Sequence, residues 1–538
     1  MGKFLAALAA VLILSGCQQA TTGANSASSS APLRGTSASV SSIVSIKTPS
    51  AVPTDNLSAQ LPSRVANGVI LDAWMWSFSD IQASLANIAA AGYNAVEVSP
   101  LEPIKQSMTA AQWYLLYQPC DLTIGNPTLG NETGFKNLTT AAASYGIKII
   151  VDAVLNQTAD DGTPGGFDPH VASYIQAHQK DWFHNNPKVG DWTNRMQETQ
   201  YDLGNGPDWN TQHTTVQSLM LGFLNQCIAD GAGGFRFDAA KSIETNAGVD
   251  AGAPWTGVQS SPVTLYQWDP VALKLTTTPY AVTGTGNFWD DILPNLANKA
   301  NLFLYGEVIQ DGTDSADNEN GYQTYFRTTA TNVMGQLASA YTNGDLTGLA
   351  TLPASVAVGA SAAGSENPDK IVVFAENWDN YTNGLYHTAG QSYAQRLVEN
   401  AILTARAGMV NILFVRPGEG LWYDPVMVAV NRFHNLMAGN SEYWEYAGNG
   451  APTSMTKALV AIKRQSGGVD AGLVLVNAAS SAQTLTVSTS LPVGTYTDQG
   501  PSGKTFAVTP GVAGLSTPNG ANTLTGTVPA QSAVVLVP

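Results

Sequence analysis

Apolar and polar positions alternate with two different periods along most of this chain, which indicates strands followed by helices. Between residues 68 and 100, two short apolar runs, GVILDAW and YNAVEVSP, have the character of strands. They enclose DIQASLANIAAAG, which has the apolar spacing of a helix and ends at Gly92, as a glycine C-cap would. Strands that alternate with helices in this way predict an α/β protein with a parallel sheet.

Further apolar runs supply the remaining strands of one barrel. Strand three is predicted within AASYGIKIIVDAV, after the end of a helix, and the helix SLMLGFLNQCIAD precedes strand four. Strands four, five, seven and eight are predicted in GGFRFDAA, NLFLYGEV, KIVVFAEN and GMVNILFV. Strand six is sought between Asn332 and Ala360, where no single run marks it. The expected fold is a (β/α)8 TIM barrel.

Two stretches break this alternation. Periodicity fails between Asn156 and about Thr215, and so long a connection inside a compact barrel predicts a functional excursion or a small inserted subdomain. After about Glu445, short β-rich runs separated by Gly, Ser and Pro predict a C-terminal antiparallel β-sandwich. The predicted boundaries are residues 63–155 and 216–445 for the barrel, 156–215 for the insertion after strand three, and 446–538 for the sandwich.

The N-terminal residues carry a targeting pattern. Residues 1–16 contain one Lys and the apolar stretch FLAALAAVLIL, which predicts a secretory signal peptide. Cys17 completes an LSGC pattern similar to a bacterial lipobox, so we expect a lipidated Cys17, with a plain signal peptide beside a cysteine as the alternative. Residues 17–62 are predicted to be this cysteine and a flexible tether rich in Ser, Ala and Thr. No later apolar run has the length of a membrane span, so membrane attachment is expected through the lipid alone, in a bacterial membrane lipoprotein or an extracellular protein.

Composition narrows the class of partner. The 538 residues are 44% hydrophobic, which suits two or three domains with a sizeable core. Lys and Arg number 24 against 40 Asp and Glu, a net charge of −16 that repels nucleic acid but not a neutral polysaccharide. Cys120 and Cys227 either form one disulfide or remain buried thiols, and they are too few for a zinc site built on thiols. A monomer is expected.

Three of the predicted strands lead into a carboxylate. Asp238 lies in GFRFDAAK, Glu307 in LYGEV and Asp379 in FAENWDN, and a barrel gathers its carboxyl strand ends at one mouth. Retaining glycoside cleavage needs one ionised carboxylate as nucleophile and one acid that protonates the leaving oxygen, about 5 Å apart. We predict that Asp238 is the nucleophile, that Arg236 lowers its pKa, and that Glu307 is the general acid. A structural ion pair for Asp238 and a helix N-cap for Asp379 are the alternatives.

Together with IIVDAVLNQ at residues 149–157, these stretches form four ordered blocks that resemble the α-amylase family of glycoside hydrolases. WYLLYQP, TLGNETGFKNL, PDWNTQ and GEVIQDG are most similar to the Bacillus-type bacterial members. The resemblance implies an endo-acting, retaining hydrolase of α-1,4-glucosidic bonds in starch, with the insertion as the B domain that walls the cleft. A maltooligosaccharide-forming or glucan-transferring relative remains an alternative, as does a surface lipoprotein that binds α-glucan with weak catalysis.

The resemblance also implies which residues bind sugar. Tyr117 would stack on the sugar at the cleavage subsite, Lys241 would bind the first sugar on the leaving side, and Asp379 would bind hydroxyls of the distorted ring. Turn packing for Tyr117 and a surface helix position for Lys241 are the plainer interpretations. The full set implied to bind substrate is Tyr117, Gln118, Asp152, Gln157, Arg236, Lys241 and Trp378.

Ions follow from the same resemblance. Ca²⁺ takes hard oxygen donors from separate loops, and the matching positions are Asn156, Thr199, Asp208 and Ser242, the second and last through backbone carbonyls. A chloride site found in some relatives is matched by Arg236, Asn377 and Arg416.

Three histidines of the family blocks are absent, because Gln157, Ser242 and Trp378 occupy their positions. Gln157 still donates a hydrogen bond, whereas Trp378 offers a single indole N–H and far more bulk. The sequence therefore predicts a weakened cleavage subsite.

Overall fold

The computed structural model describes residues 40–53, 57, 60–251, 263–269, 274–282, 287–309, 319–352, 367–383, 385–449, 454–511 and 522–538. The predicted signal peptide and Cys17 lie outside the described residues, as does the tether up to residue 39. Within the described ranges, every helix is too short or too polar to cross a bilayer.

Eight parallel strands close into a barrel and follow one another around it in chain order. They are β1 (Ile70–Asp72), β2 (Ala95–Val98), β3 (Lys148–Ala153), β4 (Gly234–Phe237), β5 (Phe303–Gly306), β6 (Arg327–Thr329), β7 (Ile371–Val373) and β8 (Val410–Phe414). β1 closes the barrel by pairing with both β2 and β8, with Ile70 opposite Ala95 and Ile412. The predicted TIM barrel is confirmed, and all eight carboxyl strand ends point to one mouth.

Among the described residues, helices connect most of the strands, and three short helices belong to the insertion. They are α1 (Phe78–Ala90), α2 (Glu132–Ser144), α3 (Ser173–Gln176), α4 (Gln179–Trp182), α5 (Arg195–Gln200), α6 (Thr214–Ala229), α7 (Phe288–Ile292), α8 (Glu319–Tyr322), α9 (Thr331–Asn343), α10 (Trp378–Asn383), α11 (Tyr393–Ala405) and α12 (Pro425–Leu436).

Helix α1 shows how local sequence sets these bounds. The Ser77 hydroxyl accepts a hydrogen bond from the Asp80 backbone N–H, which caps the first turn. Ile81 and Leu85 lie on the buried face, at the spacing of one helical stripe. Gly92 follows the last turn at a φ of 91°, a left-handed conformation that glycine adopts without steric cost.

We sought strand six between Asn332 and Ala360, but β6 ends at Thr329, before this interval, so that prediction is wrong. The strand has no apolar run, because it consists of Arg327, Thr328 and Thr329. Thr328 is fully buried, and its hydroxyl donates to the Glu319 carboxylate at 3.0 Å. Hydrogen bonding instead of apolar content makes this strand compatible with the interior, and hydrophobic periodicity does not detect such a strand.

Residues 40–53 pack on the barrel, so the predicted flexible tether is wrong for this part of residues 17–62. Val44 and Val52 are buried in the main core. The Ser42 N–H and hydroxyl donate to the Asp80 carboxylate at 2.7 and 2.6 Å. A few apolar residues among Ser and Thr are enough to dock the segment, and these were too sparse to form a periodic signal.

The insertion between β3 and α6 contains the short helices α3, α4 and α5, joined by isolated bridges such as the one between Phe183 and Trp209. A second excursion, after β4, contains two antiparallel strands, Val263–Asp269 and Lys274–Val282. The sequence pattern did not indicate that hairpin.

The C-terminal region is a β-sandwich of two four-stranded antiparallel sheets, β9–β10–β11–β16 and β12–β15–β14–β13. Its strands are β9 (Ser441–Tyr446), β10 (Leu459–Ser466), β11 (Val469–Asn477), β12 (Gln483–Thr489), β13 (Gly494–Thr497), β14 (Thr505–Pro510), β15 (Asn522–Val528) and β16 (Ser532–Leu536). Side chains that fill the space between the sheets include Leu459, Leu473, Leu485, Val487, Leu524 and Val534. β9 pairs with β10, so the sandwich begins before the predicted boundary at residue 446.

Both described cysteines, Cys120 and Cys227, are buried free thiols. Of the two interpretations of the sequence, the structure therefore favours free thiols over a disulfide.

Candidate active site

The ends of β4, β5 and β7 bring the three predicted acids to the barrel mouth. Asp238 directly follows β4, and its backbone N–H donates to Ala153 O of β3 at 3.0 Å. Glu307 directly follows β5, and its N–H donates to Phe237 O at 2.9 Å. The backbone of each acid is thus fixed by one hydrogen bond that continues the ladder past the strand end. Asp379 lies in the first turn of α10, which follows the end of β7 at Val373.

One buried guanidinium holds two of these acids together. Arg236 Nη1 lies 2.9 Å from Asp238 Oδ1, and Arg236 Nη2 lies 3.0 Å from Glu307 Oε2. Nη1 also contacts Asp152 Oδ1 at 2.6 Å, and the Ala239 N–H donates to Glu307 Oε2 at 3.1 Å. The proposed nucleophile and the proposed acid therefore contact the two terminal nitrogens of one guanidinium group. Charged hydrogen bonds fix the position of one carboxylate relative to the other.

Asp379 completes the group. Its side chain is 8% exposed and lines the same cavity as Glu307 and Arg236. The Asn383 amide donates to its carboxylate. Burial, with the neighbouring Glu307 charge, raises the pKa of Asp379 to about 6.

Burial opposes the ionisation of Asp238. Desolvation raises the pKa of Asp238 to about 7, although Arg236 lowers it, because the charges of Glu307 and Asp152 act in the same direction as burial. Desolvation also raises the pKa of Asp152 to about 7. Arg236 thus lowers the pKa of Asp238 as predicted, but burial outweighs this effect, and the guanidinium is shared among several carboxylates.

Two acids at the mouth were missed by sequence reasoning. Asp72 is the last residue of β1 and Glu97 the last but one of β2. They face each other in the ladder, and both are 5% exposed. The Tyr305 hydroxyl donates to Glu97, and all three side chains line the cavity. The signal was available, because GVILDAW and YNAVEVSP each carry one acid inside an otherwise apolar run.

Tyr117 and Gln157 both contact acids at the barrel mouth. The Tyr117 hydroxyl donates to Asp152 Oδ2 at 2.9 Å. Gln157 Nε2 donates to Asp238 Oδ2 at 3.4 Å and to Tyr117 O at 3.1 Å. Gln157, near the start of the insertion, thus contacts the proposed nucleophile.

Trp378 packs into the same group. Its ring stacks on Tyr117 with centroids 4.5 Å apart and an interplanar angle of 22°. The Trp113 ring, also missed, lies 4.9 Å from it. Arg236 Cζ is 5.8 Å from the Trp378 ring centroid. The aromatic residues and the guanidinium form one packed unit.

Gln118 and Lys241 direct their side chains to other partners. Gln118 Nε2 donates to Asp160 Oδ2 at 2.9 Å. Lys241 Nζ forms an ion pair with Glu198 at 2.9 Å, while the Lys241 backbone N–H donates to Glu307 O at 3.2 Å. Lys241 is therefore next to the acid, but its ammonium points into the protein.

The positions implied for calcium lie where the insertion meets the barrel. Trp209 N donates to Asn156 O at 3.0 Å, and an isolated bridge joins Gln157 to Asp208, so Asn156 and Asp208 lie on adjacent backbone segments. Asp208 is 1% exposed and contacts His184 Nδ1 at 2.5 Å. Within the described ranges, no three His, Cys, Asp or Glu side chains form a metal site by themselves.

The chemistry around Asp208 nevertheless suits a hard cation. Asp202 Oδ2 and Glu244 Oε1 are buried without a hydrogen-bond partner. Burial and the Asp202 charge raise the pKa of Asp208 well above its ordinary value. Thr199 and Ser242 belong to neighbouring elements, which are linked by a hydrogen bond of 2.5 Å from Arg195 Nη1 to Lys241 O. Carboxylate, amide and carbonyl oxygens are the donors that Ca²⁺ prefers.

The residues implied for chloride fit less well. Arg416 Nε donates to both oxygens of Glu376 at 3.0 and 2.9 Å, and Nη2 donates to Glu376 Oε2 at 2.8 Å and to Thr388 O. Arg236 is committed to carboxylates. Both guanidinium groups are already neutralised, so a chloride ion would have to displace their carboxylate partners.

The chain is similar in sequence to known α-amylases. Residues 81–318 match the family model of the α-amylase catalytic domain. An α-amylase of Clostridium acetobutylicum is 37% identical over 487 residues, which cover 89% of this chain and 55% of that protein. An α-amylase of Butyrivibrio fibrisolvens is 31% identical over 518 residues, which cover 88% of this chain and 47% of that protein. This chain spans about half the length of these curated relatives.

A solved structure shares the architecture. Wild-type α-amylase I from Eisenia fetida superposes with a TM-score of 0.63 at 21% identity, over 91% of this chain and 99% of that one. At this level of identity, the likeness establishes the fold.

Proposed function

The chain belongs to the α-amylase family of glycoside hydrolases, and on this premise we propose that it cleaves α-1,4-glucosidic bonds within starch and related glucans, with retention at the anomeric carbon. The observation that carries the proposal is the Arg236 guanidinium, which contacts Asp238 at 2.9 Å and Glu307 at 3.0 Å. Two carboxylates held this close suit the double displacement of a retaining enzyme.

In the first step, Asp238 attacks the anomeric carbon while Glu307 donates its proton to the leaving glycosidic oxygen. The leaving glucan departs with that proton, and the remaining sugar is bound to Asp238 through an ester. In the second step, Glu307 takes a proton from water, which attacks the same carbon and frees Asp238. Asp379 accepts hydrogen bonds from sugar hydroxyls near the reacting centre.

Glucan transfer is a second candidate, which is favoured by the burial of the site. Asp238 is 5% exposed, Asp379 is 8% exposed, and the bulky Trp378 stacks on Tyr117. A site that excludes water gives a sugar acceptor an advantage in the second step. Chromatography of products from soluble starch separates the two functions, because transfer yields chains longer than hydrolysis does.

We also propose that Ca²⁺ joins the insertion to the barrel through Asn156 and Asp208, with carbonyl oxygens of Thr199 and Ser242. This proposal is supported by the buried, unpartnered carboxylate oxygens at that junction. When bound, the ion would neutralise these acids and hold the wall of the cleft in place. Export, a lipid on Cys17 and action as a monomer are proposals that rest on the sequence pattern alone.

The test of the catalytic assignment is a pair of isosteric substitutions. Glu307→Gln cannot donate the proton, and Asp238→Asn cannot attack the anomeric carbon, so each should lower kcat on soluble starch by about 10³-fold or more. Release of reducing ends measures the rate. Glu132→Gln, in the α2 ion pair with Lys136, is the matched control and should retain the full rate. Hydrolysis within tenfold of normal by either site variant would remove these residues from the mechanism.

A further inference from the structure

Trp378 occupies the face of Tyr117 that a sugar would need. The two rings stack at 4.5 Å, which leaves no room for a third layer between them. Trp113 covers another side of the indole at 4.9 Å, and the indole is only 8% exposed. The ring is therefore packed on several sides within the site.

The indole also borders two cavities at the barrel mouth. The larger cavity is lined by Glu307 and Asp379, while a smaller one is lined by Tyr117 and Asp152. Trp378 lines both. A glucosyl ring that stacks on Tyr117 and presents its anomeric carbon to the acids must span the position of this side chain.

We propose that Trp378 is a displaceable plug of the cleavage subsite and thereby determines which α-glucans react. The indole lies on Tyr117 in the free protein and leaves it when a glucan chain binds. This inference rests on the proposed function, because it takes an α-glucan as the ligand that displaces the ring.

Displacement makes chain length decisive. A ligand that binds only the open form has its apparent affinity reduced by the fraction of open molecules, so an open fraction of about 1% weakens binding about 100-fold. A long glucan offsets this cost through contacts with sugars on either side of the cleaved bond, whereas a short oligosaccharide has few such contacts. The plug therefore selects long chains without any added contact to them.

The test compares substitutions of Trp378 in a chain that carries Glu307→Gln, so that ligands are bound but not consumed. Trp378→Ala and Trp378→His remove the stacked indole, and Trp378→Phe retains a flat ring. Calorimetric titration measures the affinity for maltotriose and for maltoheptaose. Maltotriose should bind at least tenfold more tightly to the Ala and His variants, with a smaller gain for maltoheptaose and the smallest gain in the Phe variant. Trp422→Phe, a core tryptophan packed edge-on against Trp76, should leave both affinities unchanged.

The same substitutions in the active chain separate a plug from mere packing. The plug predicts a lower KM for maltooligosaccharides in the Ala and His variants, with little change in the KM for starch. Equal maltotriose affinity in all folded variants, or an equal gain in the Phe and Ala variants, overturns the plug and leaves the proposed function intact. Failure of the proposed function gives a different result. The unsubstituted chain would then leave starch uncleaved, while a gain in maltotriose affinity in the Ala and His variants would still support the plug. Melting curves verify that each variant is folded. Because both Trp378→Ala and Trp378→His remove the indole, the test can still be made if one of them does not fold.

Discussion

At the scale of single residues, the distribution of charge at the barrel mouth governs the chemistry. Arg236 contacts Asp152, Asp238 and Glu307 directly, and Asp72 and Glu97 lie within its electrostatic reach. One positive charge cannot balance so many buried carboxylates, and burial raises the pKa of Asp238 to about 7. The free site therefore retains protons that separate carboxylates in water would release at neutral pH.

Buried acids at the barrel mouth should lower the free energy of unfolding at high pH, and Asp72→Asn tests this. Burial and the Glu97 charge raise the pKa of Asp72 well above its ordinary value. Below pH of about 4, the folded and unfolded chains both hold the proton, so this group does not affect stability. As pH rises from there to the folded pKa, only the folded chain holds it, and the free energy of unfolding falls by about 1.4 kcal/mol per pH unit. Asn has no proton to lose in this pH range, so Asp72→Asn removes this fall in the free energy of unfolding.

Denaturant unfolding at pH 4 and pH 8 measures the effect. The variant should gain stability over the unsubstituted chain at pH 8 and little at pH 4. Asp161→Asn, at an exposed turn, is the control and should show a much smaller change between the two pH values. A stability difference at Asp72 that is the same at both pH values would show that this carboxyl does not take up a proton on folding.

The sequence indicated Asp238 and Glu307, which follow strands, but missed Asp72 and Glu97, which lie within strands. Asp238 and Glu307 stand just beyond apolar runs, where a barrel gathers its functional residues. Asp72 and Glu97 are the last or nearly last residues of apolar strands, where a single charge is easily taken for a solvated position. Their inward direction depends on the tilt and closure of the barrel, which local pattern does not specify.

At the scale of elements, secondary structure that lacks apolar periodicity was the hardest to predict. Strand β6 is built from Arg and Thr, and its position was not predicted. Residues 40–53 have no regular structure, yet they dock by Val44, Val52 and the hydrogen bonds of Ser42. Tertiary packing, which a linear pattern does not contain, fixes all of these segments.

The docked segment should be released by Val44→Asp. A carboxylate at this buried position costs several kcal/mol to desolvate, but the segment can avoid that cost by leaving the barrel. We therefore expect a small change in the melting temperature and faster tryptic cleavage at Lys47, whose carbonyl accepts the Trp422 indole N–H at 3.2 Å. Mass spectrometry of the digest locates the cut, with an expected acceleration of about tenfold or more.

Val493→Asp is the control, because Val493 is 57% exposed and lies in the sandwich. It should leave cleavage at Lys47 unchanged. Equal protection of Lys47 in Val44→Asp and the unsubstituted chain would mean that the contacts of Ser42 hold the segment without the valine.

At the scale of the whole molecule, polar contacts tie the peripheral parts to the barrel. Arg464 of the sandwich strand β10 is buried and donates to Arg406 O at 3.0 Å and to Met437 O at 2.7 Å, at the ends of α11 and α12. The sandwich thus caps helix ends whose carbonyls would otherwise be unsatisfied. The inserted segment is joined differently, through the acidic junction around Asp208, where negative charge accumulates without a Lys or Arg ion pair among the described residues.

Removal of calcium should therefore loosen the insertion. A bound ion at 100 times its dissociation constant contributes about 2.7 kcal/mol to the free energy of unfolding. Exhaustive treatment with EGTA should lower the melting temperature by several degrees, and added Ca²⁺ should restore it. Scanning calorimetry measures the shift, and elemental analysis of the untreated protein counts the bound ion.

Asp208→Asn gives the decisive comparison, because it removes a charged ligand of the proposed ion and leaves the shape of the side chain. The variant should melt at a lower temperature in the presence of Ca²⁺, and EGTA should change that temperature less than it does in the unsubstituted chain. Asp191→Asn, at an exposed turn of the same insertion, is the control and should respond to EGTA as the unsubstituted chain does. If chelation leaves the melting curve of the unsubstituted protein unchanged and no metal is found in it, the acids at this junction are held by protons and by His184, and calcium has no part in joining the insertion to the barrel.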